Sequence, residues 1–105
     1  IAKIDWGKSW GQIDPLIRGC NPAPGAWTTL DGKTVKIFDA TPLPAKDPKG
    51  IAGKYGEVVA VEADGVTVVC ADGRFKVTRV QADGPKLGAG EWAKAANLAA
   101  GARFS

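Results

Sequence analysis

Asp-Gly stands between β-forming runs in "LDGK", "ADGV" and "ADGR", with the aspartates at 31, 64 and 72. An Asp-Gly pair accepts the positive φ that both central residues of a type I′ turn require. The twist of that turn matches the strands it joins, so the pair is the strongest short-range hairpin signal. The runs around these pairs are "AWTTL", "KTVKIFDA", "GEVVAVEA", "VTVVC" and "RFKVTRV". Five strands joined largely by tight turns predict an antiparallel meander. A flat sheet of this size leaves two open edges, so it is expected to curl toward closure as a small, partly open antiparallel β-barrel.

Two segments break the strand pattern. In "IDWGKSWGQIDPLIRGC", Ser9 and Gln12 have capping-box spacing, and Ile13, Leu16 and Ile17 recur on one helical face. This predicts a short N-terminal amphipathic helix from about Trp10 to Arg18. Pro15 leaves two readings open: it kinks that helix, or the regular part begins at Pro15 with Asp14 as its cap. Gly19 is placed to end the helix in the left-handed conformation. After the last strand, "QADGPKLGAGEWAKAANLAAGARFS" predicts a C-terminal helix. There Gly88 serves as cap, Glu91 complements the helix start, and Gly101 lies shortly past the end. Trp92, Ala95, Ala96 and Leu98 are then expected to cover an open end of the barrel.

Asn21-Pro22 and Pro24-Gly25 put two corners into "CNPAPG", which reads as a stiff elbow between the first helix and the first strand. "TPLPAKDPKGIAGKYG", residues 41–56, has no apolar period and reads as a mobile surface loop crossing between hairpins.

The 105 residues read as one domain, 1–105, with 45% apolar and 24% charged residues, an ordinary globular composition. The longest apolar runs, such as residues 66–71, are far shorter than the stretch of about 20 that a membrane helix needs. The start, "IAKIDW", has neither an initiator Met nor the basic and apolar regions of a signal peptide, so the chain is expected to be a fragment of a longer protein. A net charge of +3 permits an anionic partner without demanding one.

Histidine is absent from the sequence, which removes every Ser-His or Cys-His pair and the commonest general base near neutral pH. Cys20 and Cys70 form no CxxC and are too few for a structural zinc site. Buried, reduced thiols and a cytoplasmic setting are expected. Asp5, Asp14, Asp31, Asp39, Asp64 and Asp72 fall mostly in turns, where a short carboxylate bonds local backbone. No catalytic residue, metal ligand or cofactor-binding residue is therefore assigned to this chain.

The order of elements, and above all "IRGCNPAPGAWT" and "LGAGEWAKAANLAAGARF", resembles the C-terminal domain of the folate-dependent formyltransferases, whose best-known member is methionyl-tRNA formyltransferase. The likeness runs from Ile4 to Phe104. It implies an OB-like form of the barrel behind a separate N-terminal catalytic domain, the chain's expected partner. That domain would bind the formyl donor 10-formyltetrahydrofolate and carry the Asn, His and Asp of formyl transfer, none of which has a counterpart here. The implied role is a noncatalytic accessory domain, inactive by itself, that helps to dock the formyl acceptor, tRNA in one branch, or braces the catalytic domain. The elbow at residues 20–25 would then set the angle between domains. A hydrolase or dehydrogenase acting on 10-formyltetrahydrofolate, or a sugar-nucleotide formyltransferase, is an alternative parent. A free-standing OB-like nucleic-acid-binding module is the alternative of a different class.

Docking a tRNA requires cations along one surface to replace the counterions on its phosphates. Arg74, Lys76 and Thr78 alternate with Phe75 and Val77 and so share one strand face. Lys33 and Lys36 flank the first hairpin without strictly sharing an alternation, Arg79 is added from the same strand as Arg74, and Lys86 extends the patch. These six cations are the candidate acceptor- or nucleic-acid-binding residues. Trp6, Trp10, Trp27, Trp92, Phe38 and Phe75 are read as packing residues in preference to stacking platforms for bases.

Overall fold

The strands announced by the Asp-Gly pairs all form in the computed structural model, which describes residues 3–20, 25–44, 53–82 and 84–105. They are β1 (Ala26–Leu30), β2 (Lys33–Pro44), β3 (Val58–Glu62), β4 (Gly65–Cys70) and β5 (Gly73–Gln81). A short β6 (Leu87–Gly88) pairs with the far half of β5. Helix α1 (Trp10–Gly19) precedes the sheet and α2 (Ala89–Ala95) follows it. The elbow at Asn21–Pro24 lies outside the described residues, as do residues 45–52 of the crossing loop.

The strand order, β1-β2-β5-β4-β3, corrects the expected meander. β3, β4 and β5 are successive hairpin neighbours, but β2 lies beside β5, which is a Greek-key arrangement. This order sets the two longest strands, of 12 and 9 residues, side by side and so satisfies many backbone groups at once. It also takes residues 41–44 out of the loop, since Thr41, Pro42 and Leu43 pair with Lys76, Phe75 and Arg74. Pro42 is tolerated there because β1 pairs with β2 only as far as Ile37, which leaves the distal part of β2 with one unpaired edge.

The turns are also unlike one another. Asp31 and Gly32 have φ of 51° and 80°, as a type I′ turn demands. In the other two hairpins the two-residue loops are Ala63-Asp64 and Ala71-Asp72, and Gly65 and Gly73 are already the first residues of strands. At Gly65 the glycine answers to a close approach, because a Cβ there would stand 2.7 Å from the Val77 carbonyl oxygen.

The sheet stays open between β1 and β3, as expected of a partly open barrel, and the two terminal segments lie along that gap. The Ile4 N–H donates to the Trp27 carbonyl at 2.7 Å, and Thr29 and Ser105 exchange both backbone hydrogen bonds at 2.9 Å, so both terminal segments cover the outer edge of β1. On the other side of the tail, the Phe104 N–H reaches the Gly56 carbonyl at 2.8 Å and the Val58 N–H reaches Ala102 at 2.7 Å. Residues 101–105 thus bridge β1 to the start of β3, and edges that would otherwise invite pairing with another chain are covered.

Helix α1 starts where the capping box places it and runs through Pro15. Pro15 and Gly11, whose carbonyl loses its partner, are both exposed, so the freed group is open to solvent. Asp14 caps nothing; its Oδ2 accepts from Arg18 Nε at 2.9 Å one turn on. Gly19 remains helical and Cys20 is the C-cap in right-handed geometry, which corrects the expected left-handed stop. Ile13 and Ile17 are buried and seat the helix on β2. The first helical N–H, that of Trp10, donates at 2.9 Å to Asp72 Oδ1 from the β4–β5 turn. Asp72 therefore caps a helix 62 residues earlier in the chain. Asp72→Ala is expected to lower stability by about 1–2 kcal/mol, as for other lost helix caps, while Asp72→Asn keeps most of it; urea unfolding midpoints measure both.

Helix α2 ends sooner than the glycine at 101 suggested. Asn97, with φ of 57°, takes the left-handed position, and the bonds Leu98 N–H to Ala93 and Asn97 N–H to Lys94 close the helix. Its buried face is Ala89, Gly90, Trp92 and Ala93, with Leu98 half-buried; Ala95 and Ala96 are exposed, contrary to expectation. Phe104 ties the core together, with its ring 6.0 Å from Trp6 and 6.2 Å from Trp92, and Trp6 meets Phe75 edge-on. Trp6 Nε1 donates to the buried Thr28 hydroxyl at 3.0 Å, which donates in turn to the Ser105 carbonyl at 3.1 Å.

Candidate functional site

Residues directly opposed in an antiparallel pair share a face, so the register places the candidate cations. Arg74 opposes Leu43 and Val69, Lys76 opposes Thr41 and Thr67, and both stand on the outer face while Phe75 and Val77 enter the core, as the alternation predicts. The pairing slips between Ala40–Val77 and Asp39–Arg79, and the extra residue, Thr78, leaves Arg79 exposed beside Asp39. A second slip frees Phe38, which is buried yet lies apart from the main core. Lys36 opposes Trp27 of β1 and is half-buried on the outer face. Lys33 does not join it; Lys33 sits at the hairpin end, at the edge of a cavity of about 320 Å³ that Asp31, Thr34 and Trp92 also line.

Two lysines stand over aromatic rings and a third lies between them. The Lys86 Nζ is 4.0 Å from the Phe38 ring centre, and the Lys3 Nζ is 5.5 Å from that of Trp27. Lys36 links the two, since it pairs with Trp27 and its Cδ and the Phe38 ring both adjoin Gly25. In both cation–π contacts it is the ammonium that faces the ring, the arrangement that the negative face of an aromatic favours. Sequence reasoning missed Lys3, because its place depends on a parallel bridge between the N-terminal segment and Trp27 that no local pattern announces. Of the six aromatics read as packing residues, Trp6, Trp92, Phe38 and Phe75 are buried and Trp10 and Trp27 half-buried.

Two further candidate cations, Lys76 and Arg74, differ in kind. Lys76 Nζ lies 2.6 Å from Asp64 Oδ2. The hydrogen bond to Lys76 holds the Asp64 carboxyl below its ordinary pKa, and the same bond raises the Lys76 ammonium above its own. Asp64 therefore stays ionised to lower pH, and Lys76 charged to higher pH, than either does alone. Arg74 is half-buried, and its Nε has no hydrogen-bond partner among the described residues.

Burial pushes the Cys70 thiol up, which keeps it protonated, and Cys20 is half-buried and unpaired. Among the described residues no three His, Cys, Asp or Glu side chains converge as a metal site, and no helix is long and apolar enough to cross a membrane. A cleft of about 410 Å³ where the two terminal segments meet is bordered by Asp5, Trp6, Tyr55 and Arg103. Its carboxylate, Asp5, is engaged by the Gly7 N–H at 2.9 Å.

Residues 1–97 match the family described as formyl transferase, C-terminal domain. Methionyl-tRNA formyltransferase of Dechloromonas aromatica (strain RCB) is 36% identical over 104 residues, which is 98% of this chain and 32% of that protein. The enzyme of the same name from Geobacter metallireducens is 40% identical over 83 residues, 79% of this chain and 25% of that protein. The chain thus spans about a third or less of the length of these curated relatives. Among solved structures, HypX from Aquifex aeolicus in complex with tetrahydrofolic acid superposes with a TM-score of 0.70 at 24% identity, covering 88% of this chain and 16% of that one. That likeness concerns the fold alone.

Proposed function

The chain belongs to the formyl transferase C-terminal domain family, and from this premise we propose that it is the noncatalytic tail domain of a longer formyltransferase, residues 1–105 forming one unit that helps to hold the formyl acceptor. The relatives named methionyl-tRNA formyltransferase favour tRNA as that acceptor. The observation that carries this reading is the pairing of a His-free chain with a lysine row, Lys3, Lys36 and Lys86, mounted on Trp27 and Phe38. Such a row suits the sugar–phosphate backbone, which needs spaced charge and no proton transfer.

The donor implied by the family, 10-formyltetrahydrofolate, is assigned to the rest of the parent protein, which is the partner proposed for this domain. The residues described here do not fit formyl transfer from it. Moving a formyl group to an amine needs a proton carrier poised near neutral pH, whereas Asp64 is held ionised and Cys70 is held as a buried thiol.

Fluorescence anisotropy with a labelled tRNA transcript tests the reading. The logarithm of affinity is expected to fall against the logarithm of salt concentration with a slope of about 0.7–0.9 per phosphate neutralised. The double substitution Lys36→Ala and Lys86→Ala should weaken binding to every tRNA alike and flatten the slope by about 1.4–1.8, two phosphates' worth. If the chain shows no affinity for tRNA at low salt, acceptor docking is rejected and only the bracing role survives.

A further inference from the structure

The fold builds the Lys76–Asp64 pair; it is more than a chance meeting of surface side chains. Asp64 is the second residue of the β3–β4 turn, and Gly65 follows it as the first residue of β4. A Cβ on Gly65 would stand 3.1 Å from Lys76 Cγ and 3.2 Å from Lys76 Cε. The lysine stem therefore lies across the gap that the glycine leaves, which draws Nζ to the carboxylate. The Asp64 side chain is 70% exposed and that of Lys76 28% exposed, so the carboxylate is the more solvent-facing member of the pair. Glu62 adds negative potential at the same ammonium.

We propose that Asp64 is a specificity-determining residue of the outer face, its carboxylate standing where a ligand phosphate would sit on Lys76, so that a polyanion gains this cation only by displacing it. The inference rests on the reading of that face as a phosphate-binding surface. Carboxylate and phosphate compete for one ammonium, and the intramolecular carboxylate is always present at high local concentration. A single phosphate has little means of winning that contest. A ligand already held elsewhere on the face does, because its remaining phosphates arrive without a further loss of translational freedom. Lys36 is five residues along β2 from Thr41, the partner of Lys76, hence about 15 Å away. Only a ligand of several linked phosphates spans both. Asp64 thus raises the threshold against mononucleotides and small anions and selects a continuous nucleic-acid backbone.

The test compares Asp64→Asn, Asp31→Asn and the double variant Asp64→Asn with Lys76→Gln, by anisotropy with one tRNA transcript over a salt series. Asp31→Asn is the control for bulk charge, since it makes the same charge change in the β1–β2 turn, where Asn tolerates the positive φ. Asp64→Asn is expected to tighten binding about two- to fivefold at low salt and to steepen the salt dependence by about 0.7–0.9, one phosphate. Asp31→Asn should bind as the unaltered chain does, and adding Lys76→Gln should erase the gain. Equal tightening by Asp64→Asn and Asp31→Asn overturns the inference, as does unchanged affinity for Asp64→Asn when Lys36→Ala with Lys86→Ala weakens binding. If neither the unaltered chain nor any variant holds tRNA, the phosphate-binding reading falls and this inference with it. Unfolding midpoints confirm that each variant is folded.

Discussion

Phe104→Ala is expected to cost about 3–5 kcal/mol, the range for deleting a buried aromatic side chain, which is a large share of the 5–15 kcal/mol that typically holds a domain of this kind together. Phe104 is 1% exposed. Its ring lies between Trp6 and Trp92, so its removal strips one face from each of two indoles drawn from opposite ends of the chain. The backbone beside it bridges the open side of the barrel through Gly56 and Thr29, and the buried ring holds the tail in register for those bonds. Unfolding in urea followed by tryptophan fluorescence reads both effects, as a lower midpoint and as a red-shifted native spectrum from indoles newly open to water. A loss below about 1 kcal/mol, typical of surface positions, would mean that the tail lies on the barrel without bracing its open side. Tyr55→Ala supplies the comparison: at 50% exposure it should change stability by no more than about 0.5 kcal/mol.

The hairpins and the first helix were legible because their signals are local. Asp31-Gly32 carries its backbone requirement in two adjacent residues, and Ser9 with Gln12 marks a helix start within one turn. What the sequence did not disclose depends on partners far along the chain. Asp72 reads as a turn residue and is one, but its carboxylate also caps α1. Gly65 reads as the second half of a turn, and its glycine character is instead demanded by Val77 and Lys76 across the sheet. Strand order is of the same kind. Each hairpin could be found from its turn, but nothing local says that β2 joins β5.

The candidate site divides along the same line. The outward direction of Arg74 and Lys76 follows from strand alternation, and β5 keeps that alternation as far as Val77. Past Val77 the bulge at Thr78 resets the faces, which is why Arg79 lies outward as well. Lys36 and Lys86 are basic in any reading, but their footing beside Trp27 and Phe38 arises only from the sheet register and the course of the chain after β5, and Lys3 joins them only once the N-terminal segment is laid along β1. The sequence likewise shows Lys76 and Asp64 as two opposite charges 12 positions apart. Their union is a consequence of the hairpin register.

Gly90→Ala should move stability in the opposite direction from Gly19→Ala, although both replace a helical glycine. In an unobstructed helix the change favours the folded state by about 0.5–1 kcal/mol, because alanine has less backbone freedom to lose. Gly19, the exposed last residue of α1, has nothing within 4 Å of the added Cβ, and there a gain at or below the lower end of that range is expected. Gly90 is buried in the first turn of α2, and its added Cβ would overlap the carbonyl oxygens of Glu62 and Ala63. Those atoms belong to the backbone of a two-residue turn pinned by the pairs Glu62–Gly65 and Val61–Val66, so they cannot swing aside as a side chain would. The helix must shift instead, and Trp92 and Ala93 shift with it, away from β4 and β5. Overpacking of this kind typically costs about 1–3 kcal/mol, which exceeds the propensity gain, and the backbone character of the clash places Gly90→Ala toward the upper end. Urea midpoints for the two variants measured side by side give the result, with near-ultraviolet circular dichroism reporting the Trp92 environment. A stabilising Gly90→Ala would show that α2 stands clear of the β3–β4 turn, and the seal on that end of the barrel would have to be sought elsewhere.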